Sequence, residues 1–362
     1  MTIADLFFVH HRGGMNGLYM AMVMIGSFLT PIAAGTQAIK QGWRWPYRTM
    51  GICNAALFVF LFFLYEETKY VPPSITLRSE RYHSKTITKV DVDGLRKQFS
   101  STHHEFEDNI PMSPWSKRLS LFTLTSEPIW PYFYRPFVVL LTFPAVLFSG
   151  IQYASGLVWL TMMSTVLSLV LPLPPYNFNP QQIGLMSIGP FIGNTIGAIY
   201  GGFLGDRSVL IYARRNRGYY EPEMRLYNLH LPAILMCAGL IMFGTTLSKG
   251  MHWIYPSISG AFFGFGLGCI SDVSLTLVID SYRELTGDAF TGIAFLRNAI
   301  IIGIPFVISP FMETVGVSNM FTLCGLASLG VSSLILPMII FGKRMRMLFS
   351  GRYYRMIDEQ RT

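Results

Sequence analysis

Long apolar runs recur along this chain, and they constrain its fold more than any other feature. The hydrocarbon core of a bilayer is about 30 Å thick, and a helix needs roughly 20 predominantly apolar residues to cross it. Eight runs are long enough, at residues 15–38, 49–65, 137–171, 183–204, 229–247, 253–279, 289–311 and 320–341. Since 51% of the residues are hydrophobic and only 13% are charged, the chain is predicted to be an all-α, polytopic membrane protein with eight spans.

The spacing of these runs predicts how the chain is organised into domains. Segment 66–135 is rich in charge, Ser, Thr and Pro, and it separates two spans from six. We therefore predict a two-span segment at 1–65, a cytoplasmic linker at 66–135, a six-helix bundle at 136–342 and a basic cytoplasmic tail at 343–362. The third run is longer than a bilayer requires, so its outer end near Pro172 is expected to be irregular.

The basic residues predict the orientation of the spans. Most of the 28 Lys and Arg residues fall on one side of an eight-span arrangement, and the exceptions on the other side are Lys40, Arg44, Arg48 and Lys249. Because positive charge is retained on the cytoplasmic side of a membrane, both termini and the linker are predicted to be cytoplasmic. The net charge of +8 is thereby explained by the membrane, and nucleic acid is not expected as a partner.

The chemical motifs of enzymes and of ATP-driven pumps do not occur in the sequence. It contains no HExxH motif, no nucleophile elbow and no P-loop, and its seven histidines lie in predicted loops or at span ends. The four cysteines lie inside apolar runs without CxxC spacing, which disfavours a disulfide framework and a zinc site. We therefore expect neither catalysis nor a cofactor nor a metal.

Glycines in the fourth span follow a regular pattern. Gly189, Gly193, Gly197, Gly201 and Gly205 are spaced four residues apart, which places five bare backbone positions along one stripe of a helix. Another helix is expected to approach closely at this stripe. Two interpretations of the stripe are open. It serves close packing alone, or it also acts as a sliding surface between helices. A shorter set in the sixth span comprises Gly260, Gly264, Gly266 and Gly268.

The glycine stripe leads into a motif that resembles a known family. The sequence GFLGDR, from Gly202 to Arg207, stands at a predicted cytoplasmic helix end and precedes a basic loop with Arg214, Arg215 and Arg217. It resembles the loop signature of the major facilitator superfamily, in the copy that follows the eighth of twelve helices. Similar resemblance to fungal drug:proton antiporters is carried by the stretches RGGMNGLYMAMVMIGSFLTPIAAG, GWRWPYRTMGI, YEET, LVIDSYRELTGDAF and FLRNAI.

This resemblance implies a fold and a function. The eight spans would correspond to helices five to twelve of the family, so that 1–65 would be the remnant of an N-terminal bundle whose first four helices are absent. The implied function is secondary transport of a small molecule or ion across the lipid bilayer, driven by protons, with the plasma membrane expected rather than an organelle. The alternative is a truncated, non-transporting membrane protein.

Ionisable and aromatic residues inside spans are the candidates for substrate or proton coupling. A charged side chain within a span costs about 2.5–3.5 kcal/mol on insertion scales, so the few that occur are candidates for function. Asp272, flanked by Ser271 and Ser274, is the foremost; it either exchanges a proton or is neutralised by those hydroxyls or a buried arginine. The aromatic residues Tyr153, Trp159 and Tyr200 lie within spans and are expected to line a cavity or to pack.

A second group of residues is predicted to control conformation. Gly202, Asp206 and Arg207 belong to the loop signature, and Asp206 is expected to bond backbone N–H groups or nearby basic residues. Asp280 and Arg297 are predicted to lie at the inner ends of neighbouring spans, where an ion pair between them is expected. Pro31 and Gly35 lie where the family's antiporters carry a proline flanked by glycines, although Thr30 and Ala33 depart from that pattern, and a simple kink is the alternative.

Overall fold

A computed structural model describes residues 9–64, 130–216, 218–219 and 221–361. These residues form α-helices and short turns of other helical types, and they include no strand. In chain order the α-helices are α1 (Val9–Gln41), α2 (Arg44–Leu64), α3 (Trp130–Thr142), α4 (Pro144–Val170), α5 (Pro180–Leu185), α6 (Ile188–Ile199), α7 (Gly205–Arg215), α8 (His230–Ser248), α9 (Ile254–Ser281), α10 (Thr286–Val315), α11 (Val317–Ser333) and α12 (Ile335–Arg361). A π-helical turn occupies Tyr200–Leu204, and 3₁₀ turns occupy Pro222–Leu229 and Arg283–Leu285.

Eight stretches within the described residues are helical, long and apolar enough to cross a membrane. They are Met22–Gln41, Arg44–Phe63, Pro144–Val170, Pro180–Arg215, Pro222–Ser248, Ile254–Ser281, Arg283–Val315 and Val317–Asp358. The prediction of an all-α, polytopic membrane protein is therefore confirmed. Each stretch contains at least 20 residues, which is about 30 Å of helix.

The third span ends differently from its apolar run. The run breaks at its inner end, which is the end on the predicted cytoplasmic side. Phe143 there has φ −101° and ψ 109°, because a residue that precedes proline avoids the helical region. Helix α3 thus ends at Thr142 and α4 begins at Pro144. At the outer end α4 stops at Val170 and turns follow, so the expected irregular segment near Pro172 is confirmed, whereas the inner break was not predicted.

Two predicted boundaries on the basic side fall inside helices. The basic loop after the fourth span is helical as far as Arg215. The predicted tail at 343–362 is the second half of α12, which continues to Arg361 without a break. Of the predicted linker only residues 130–135 are described, and they form the first turns of α3; the rest lies outside the described residues.

Contacts group the described residues into two units. One contains residues 9–16 and 51–64, in which every side chain from 51 to 63 is exposed. Helix α2 is apolar on all sides there, as expected of a helix surrounded by lipid or by other membrane helices.

The other unit contains residues 17–50 and 130–361, and α9 lies at its centre. Helix α9 packs against α4, α6 and α8, while α10 packs against α4 and α11 against α8. Large side chains that are fully buried fill this unit, including Phe243, Phe263, Phe321 and Leu277. The rings of Phe243 and Phe321 meet edge to face with centroids 4.8 Å apart, which fixes α8 against α11.

Candidate functional site

Helices α6 and α9 touch through their backbones along the predicted glycine stripe. A Cβ atom added to Gly189, Gly193 or Gly197 would overlap the carbonyl groups of α9 at Ser257, Ala261 and Phe265 respectively. From the other side, a Cβ on Gly264 would stand 3.0 Å from the backbone N of Asn194. The predicted close approach of a second helix is confirmed. The contact is closer than expected, because even a methyl group has no room at these three positions.

The stripe ends one step earlier than its spacing suggests. Gly201 still faces Cys269, at 3.3 Å from the position of an added Cβ, whereas a Cβ added to Gly205 would meet no atom of another helix within 4 Å among the described residues. The π-helical turn at Tyr200–Leu204 explains the difference, since an extra residue in one turn rotates all following residues around the helix axis. The five-residue stripe is therefore a four-residue stripe, and Gly205 lies off it.

Asp272 lies beside this π-helical turn. Its Oδ2 is 3.8 Å from the position that a Cβ would take on Gly202, so the fold brings together two of the predicted site residues. The side chain of Asp272 is half-buried. The hydroxyl of Ser274 is fully buried and has no hydrogen-bond partner among the described residues, so of the two predicted hydroxyls Ser274 does not bond to Asp272. The ring of Tyr200 packs on Phe265 with centroids 5.3 Å apart.

Arg297 contacts Tyr153 in the middle of the helices. Its Nη1 donates a hydrogen bond to the hydroxyl of Tyr153 at 3.3 Å, and its guanidinium lies 5.6 Å from the centroid of that ring. Its Nε donates to Oδ1 of Asn298 at 3.1 Å. The predicted Asp280–Arg297 pair is wrong, because Arg225 donates to Asp280 at 3.0 Å. Arg297 lies eleven residues into α10, about 17 Å along the axis, which is too deep to reach the end of α9.

Asp272 and Tyr153 lie at similar depth on neighbouring helices. At the inner end of α4 and α9 the rings of Phe143 and Tyr282 pack with centroids 4.6 Å apart. Tyr153 follows Phe143 by ten residues and Asp272 precedes Tyr282 by ten, so each lies about 15 Å from that contact. Contact between Gly156 and Leu267 keeps the two antiparallel helices in this register. Both residues are thus near the middle of a bilayer about 30 Å thick.

The outer end of the unit contains a second close crossing, between α1 and α5. A Cβ on Gly35 would stand 2.9 Å from the carbonyl carbon of Pro180, and one on Gly184 would stand 2.6 Å from the carbonyl oxygen of Pro31. Helix α5 is held in place by a capping box, in which Asn179 and Gln182 each accept a backbone hydrogen bond from the other at 2.9 Å. Pro31 and Gly35 are therefore at an interhelical contact.

Comparison with known proteins identifies the family. The sequence model of the Major Facilitator Superfamily matches residues 1–303. This chain belongs to the Major Facilitator Superfamily. Its relatives include an uncharacterized MFS-type transporter of Schizosaccharomyces pombe, 30% identical over 99% of this chain and 67% of the relative. They also include protein HOL1 of Saccharomyces cerevisiae, 26% identical over 98% and 68%, and MFS antiporter QDR3 of Candida albicans, 24% identical over 99% and 63%.

The predicted resemblance to fungal members of this superfamily is thereby confirmed, and the protein is an integral, multi-pass membrane protein. The chain spans about two thirds of the length of these relatives. All of the relatives named here are matched along nearly the whole of this chain, so the likeness includes both units and is not confined to the signature at Gly202.

Ion pairs join the inner ends of the helices in this superfamily member. Glu223, only 4% exposed, accepts two hydrogen bonds from Arg346 at 2.8 and 2.7 Å. Lys343 donates to Glu221 at 2.5 Å, and this hydrogen bond lowers the pKa of the Glu221 carboxyl below its ordinary value. Together with the Arg225–Asp280 pair, they tie α12 and α9 to the 3₁₀ turn before α8.

The remaining predicted residues have simpler surroundings. Arg207 is exposed, and the side chain of Asp206 lies outside the described residues. Trp159 is half-buried, and its Nε1 has no partner among the described residues.

Sequence reasoning missed two buried polar residues. Glu223 had a visible signal, since it is an acidic residue in a basic stretch. Gln152 also had a visible signal, since it is an amide inside an apolar run, next to Tyr153. Its side chain is 1% exposed and donates a hydrogen bond to the carbonyl of Val331 at 2.9 Å.

Proposed function

We propose that this protein acts in proton-coupled secondary transport of a small molecule, with Asp272 as the residue that carries the proton. The observation that supports this proposal most directly is the position of Asp272, half-buried in mid-span beside the π-helical turn at Gly202. Ionisable residues in mid-span are costly and usually serve transport. Turns of the π type are also frequent at functional sites.

Proton coupling would use the exchange of one proton at this carboxyl as water reaches it from alternate sides of the membrane. Helices α6 and α9 hold Asp272 and Gly202 together through the glycine stripe, so a small movement of α6 along α9 would change what surrounds the carboxyl. The contact between Arg297 and Tyr153 adds a fixed positive charge at similar depth. The crossing of α1 on α5 at Gly35 and Gly184 is proposed to close the outer side, and the inner ion pairs to close the inner side.

The first test is substrate-free and asks whether Asp272 exchanges a proton. The protein is reconstituted in lipid, and its carboxyl bands are followed by infrared spectroscopy during a pH titration. We expect a titrating carboxyl band that disappears in Asp272→Asn and persists in Asp280→Asn, the matched control two turns further along the same helix. If the spectrum of Asp272→Asn keeps every titrating band of the unaltered protein, Asp272 does not carry the proton.

The second test concerns transport. Proteoliposomes with an imposed pH gradient are supplied with a panel of radiolabelled small molecules, and the compound that accumulates is then used with the variants. Asp272→Asn should lose accumulation and keep part of the exchange of labelled for unlabelled compound, since exchange needs no net proton movement. Accumulation at the unaltered level would place coupling elsewhere. If the unaltered chain accumulates no compound, the alternative of a non-transporting membrane protein is favoured. Residence in the plasma membrane is proposed with this function.

A further inference from the structure

A groove of about 310 Å³ lies at the inner end of the unit, between the start of the third span and the end of the chain. Its lining includes Tyr134, Arg135, Val138 and Thr142 from α3, and Arg352 and Arg355 from α12. Three guanidinium groups thus line one small groove. Its lining, as far as the structure describes it, includes no carboxylate.

Aromatic packing positions α12 beside this groove. The ring of Phe143, between α3 and α4, lies 6.5 Å from the ring of Phe349 and 6.3 Å from that of Tyr353. The Tyr353 hydroxyl also accepts a hydrogen bond from the backbone N of Glu284 at 3.5 Å. These contacts hold the turn of α12 that carries Arg352 and Arg355 against the inner end of the bundle, so the groove is part of the packed structure.

The charges in the groove differ from the other charges on α12. Lys343 and Arg346 each have a glutamate partner. The guanidinium of Arg352 instead lies over the ring of Phe349, with its Cζ 5.7 Å from the ring centroid. Neither Arg352 nor Arg355 forms an ion pair with a carboxylate among the described residues. Arg352 and Arg355 repel each other across the groove, and a bound anion would relieve this repulsion. Guanidinium groups bind phosphate in two-point geometry.

The neighbouring surface indicates that the anion is attached to a lipid. Val138 lines the groove and is 37% exposed, and Leu141 on the next turn of α3 is 74% exposed. Trp130, at the start of the same helix, is 76% exposed, as in the aromatic belts at membrane surfaces. A phosphate in the groove would therefore have apolar surface beside it, where acyl chains can lie, and a free phosphate would leave that surface unused.

We infer that this groove binds the phosphate headgroup of an anionic phospholipid from the cytoplasmic leaflet. Basic pockets beside membrane helices on the cytoplasmic side bind such headgroups, and the groove lies at the end of the bundle that carries the predicted cytoplasmic charge. The lipid would hold α12 against α3. The docking of α12 would then depend on the lipid composition of the cytoplasmic leaflet. This inference does not depend on the transported substrate or on Asp272.

The test measures binding of short-chain phosphatidylinositol 4-phosphate to the full chain in detergent, by native mass spectrometry or fluorescence. The double variant Arg352→Gln/Arg355→Gln should bind the lipid about 30-fold more weakly, since each basic residue near an anionic surface contributes roughly a fivefold gain in affinity. The matched control Arg214→Gln/Arg215→Gln removes two exposed arginines of α7 and should bind as the unaltered protein does. The variant Arg352→Lys/Arg355→Lys keeps the charge but loses the two-point geometry, so its affinity should lie between those of the unaltered protein and the Gln double variant.

Three results would overturn the inference. One is equal binding by the Gln double variant. Another is equal binding of short-chain phosphatidylcholine. The third is binding of the chain-free inositol phosphate headgroup as tight as that of the lipid, which would make the groove a site for a soluble anion. The last two comparisons use the unaltered protein, so they decide the matter even if the Gln variant does not fold.

Discussion

Single residues set the distance between α6 and α9, and they do so by lacking side chains. Between helices in lipid there is little hydrophobic driving force, so association depends on close van der Waals contact and hydrogen bonds. Gly193 and Gly197 bring the backbone of α6 against the carbonyls of Ala261 and Phe265. Gly205 has the same spacing in the sequence, but a Cβ added there would meet no atom of another helix within 4 Å in the described part of the chain. Substitutions at Gly193 and at Gly205 therefore compare a glycine that packs against another helix with one that does not.

Adding one methyl group tests this difference. Gly193→Ala should lower stability by about 1–3 kcal/mol, because the added Cβ would overlap the Ala261 carbonyl and force the helices apart. Gly205→Ala should leave stability unchanged or raise it by up to about 1 kcal/mol, since alanine favours the helix and has free space. Thermal unfolding in detergent measures both. Equal melting temperatures for the two variants would show that the stripe does not hold the helices together.

The ion pair between Glu221 and Lys343 predicts a small pH dependence. The hydrogen bond from Lys343 lowers the pKa of Glu221 below its ordinary value of 4.5. A carboxyl whose pKa is lower in the folded state stabilises the protein above its unfolded pKa, and this contribution is lost as the pH falls through the folded pKa. The unaltered protein should therefore melt above Glu221→Gln at pH 7, and the difference should shrink as the pH falls below 4.5 and through the lower pKa of the folded state. A melting-temperature difference that stays constant as the pH falls below 4.5 would contradict this assignment.

At the scale of elements, two local irregularities determine how helices meet. The π-helical turn at Tyr200–Leu204 rotates α7 away from the glycine stripe and places Gly202 beside Asp272. At the outer end, the capped start of α5 presents the backbone of Pro180 to Gly35. Both irregularities lie at positions where the chain carries predicted functional residues, as is common for irregular helical segments in membrane proteins.

The contact between α1 and α5 can be tested with a matched pair of glycines. Gly35→Val should separate the two helices, because any Cβ there overlaps the carbonyl group of Pro180. Gly26→Val should have little effect, since a Cβ added to Gly26 would meet no described atom of another helix within 4 Å. Hydrogen–deuterium exchange in residues 180–185 reports the result. We expect faster exchange in Gly35→Val alone. Unchanged exchange in that variant would mean that α5 does not depend on α1 for its protection.

For the whole molecule, the orientation in the membrane remains the broadest prediction. The positive-inside rule places Lys249 outside and the basic end of α12 inside. In a background with all four cysteines replaced, Lys249→Cys should react with an impermeant maleimide on intact cells, and Arg344→Cys should react only after permeabilisation. Both positions are exposed, so a difference in labelling reports the side of the membrane and not burial inside the protein. Labelling of Arg344→Cys on intact cells would invert the arrangement.

The number and type of spans could be predicted from the sequence because bilayer thickness acts on each apolar run separately. The glycine stripe was also predictable, since helical periodicity is a local property. The partners of Asp280 and Arg297 were not, because they depend on how far each residue lies along its own helix and on which helix ends meet. The break at Phe143 follows a local rule about proline, yet the continuous apolar run concealed it. The helical inner segments at Gly205–Arg215 and after residue 343 are charged. The ion pairs and the aromatic contacts that explain the docking of α12 form only on folding.

The docking of α12 changes how the end of the chain should be treated in the laboratory. A stop codon after residue 342 removes the segment that the sequence predicts to be a basic cytoplasmic tail, and it removes Arg346 with it. Glu223 would then lose the guanidinium that binds both of its carboxylate oxygens, and such a loss costs about 3–5 kcal/mol where the carboxylate stays buried. Shortened expression clones are therefore expected to give lower yields, whereas a purification tag appended beyond the last residue leaves the pair intact.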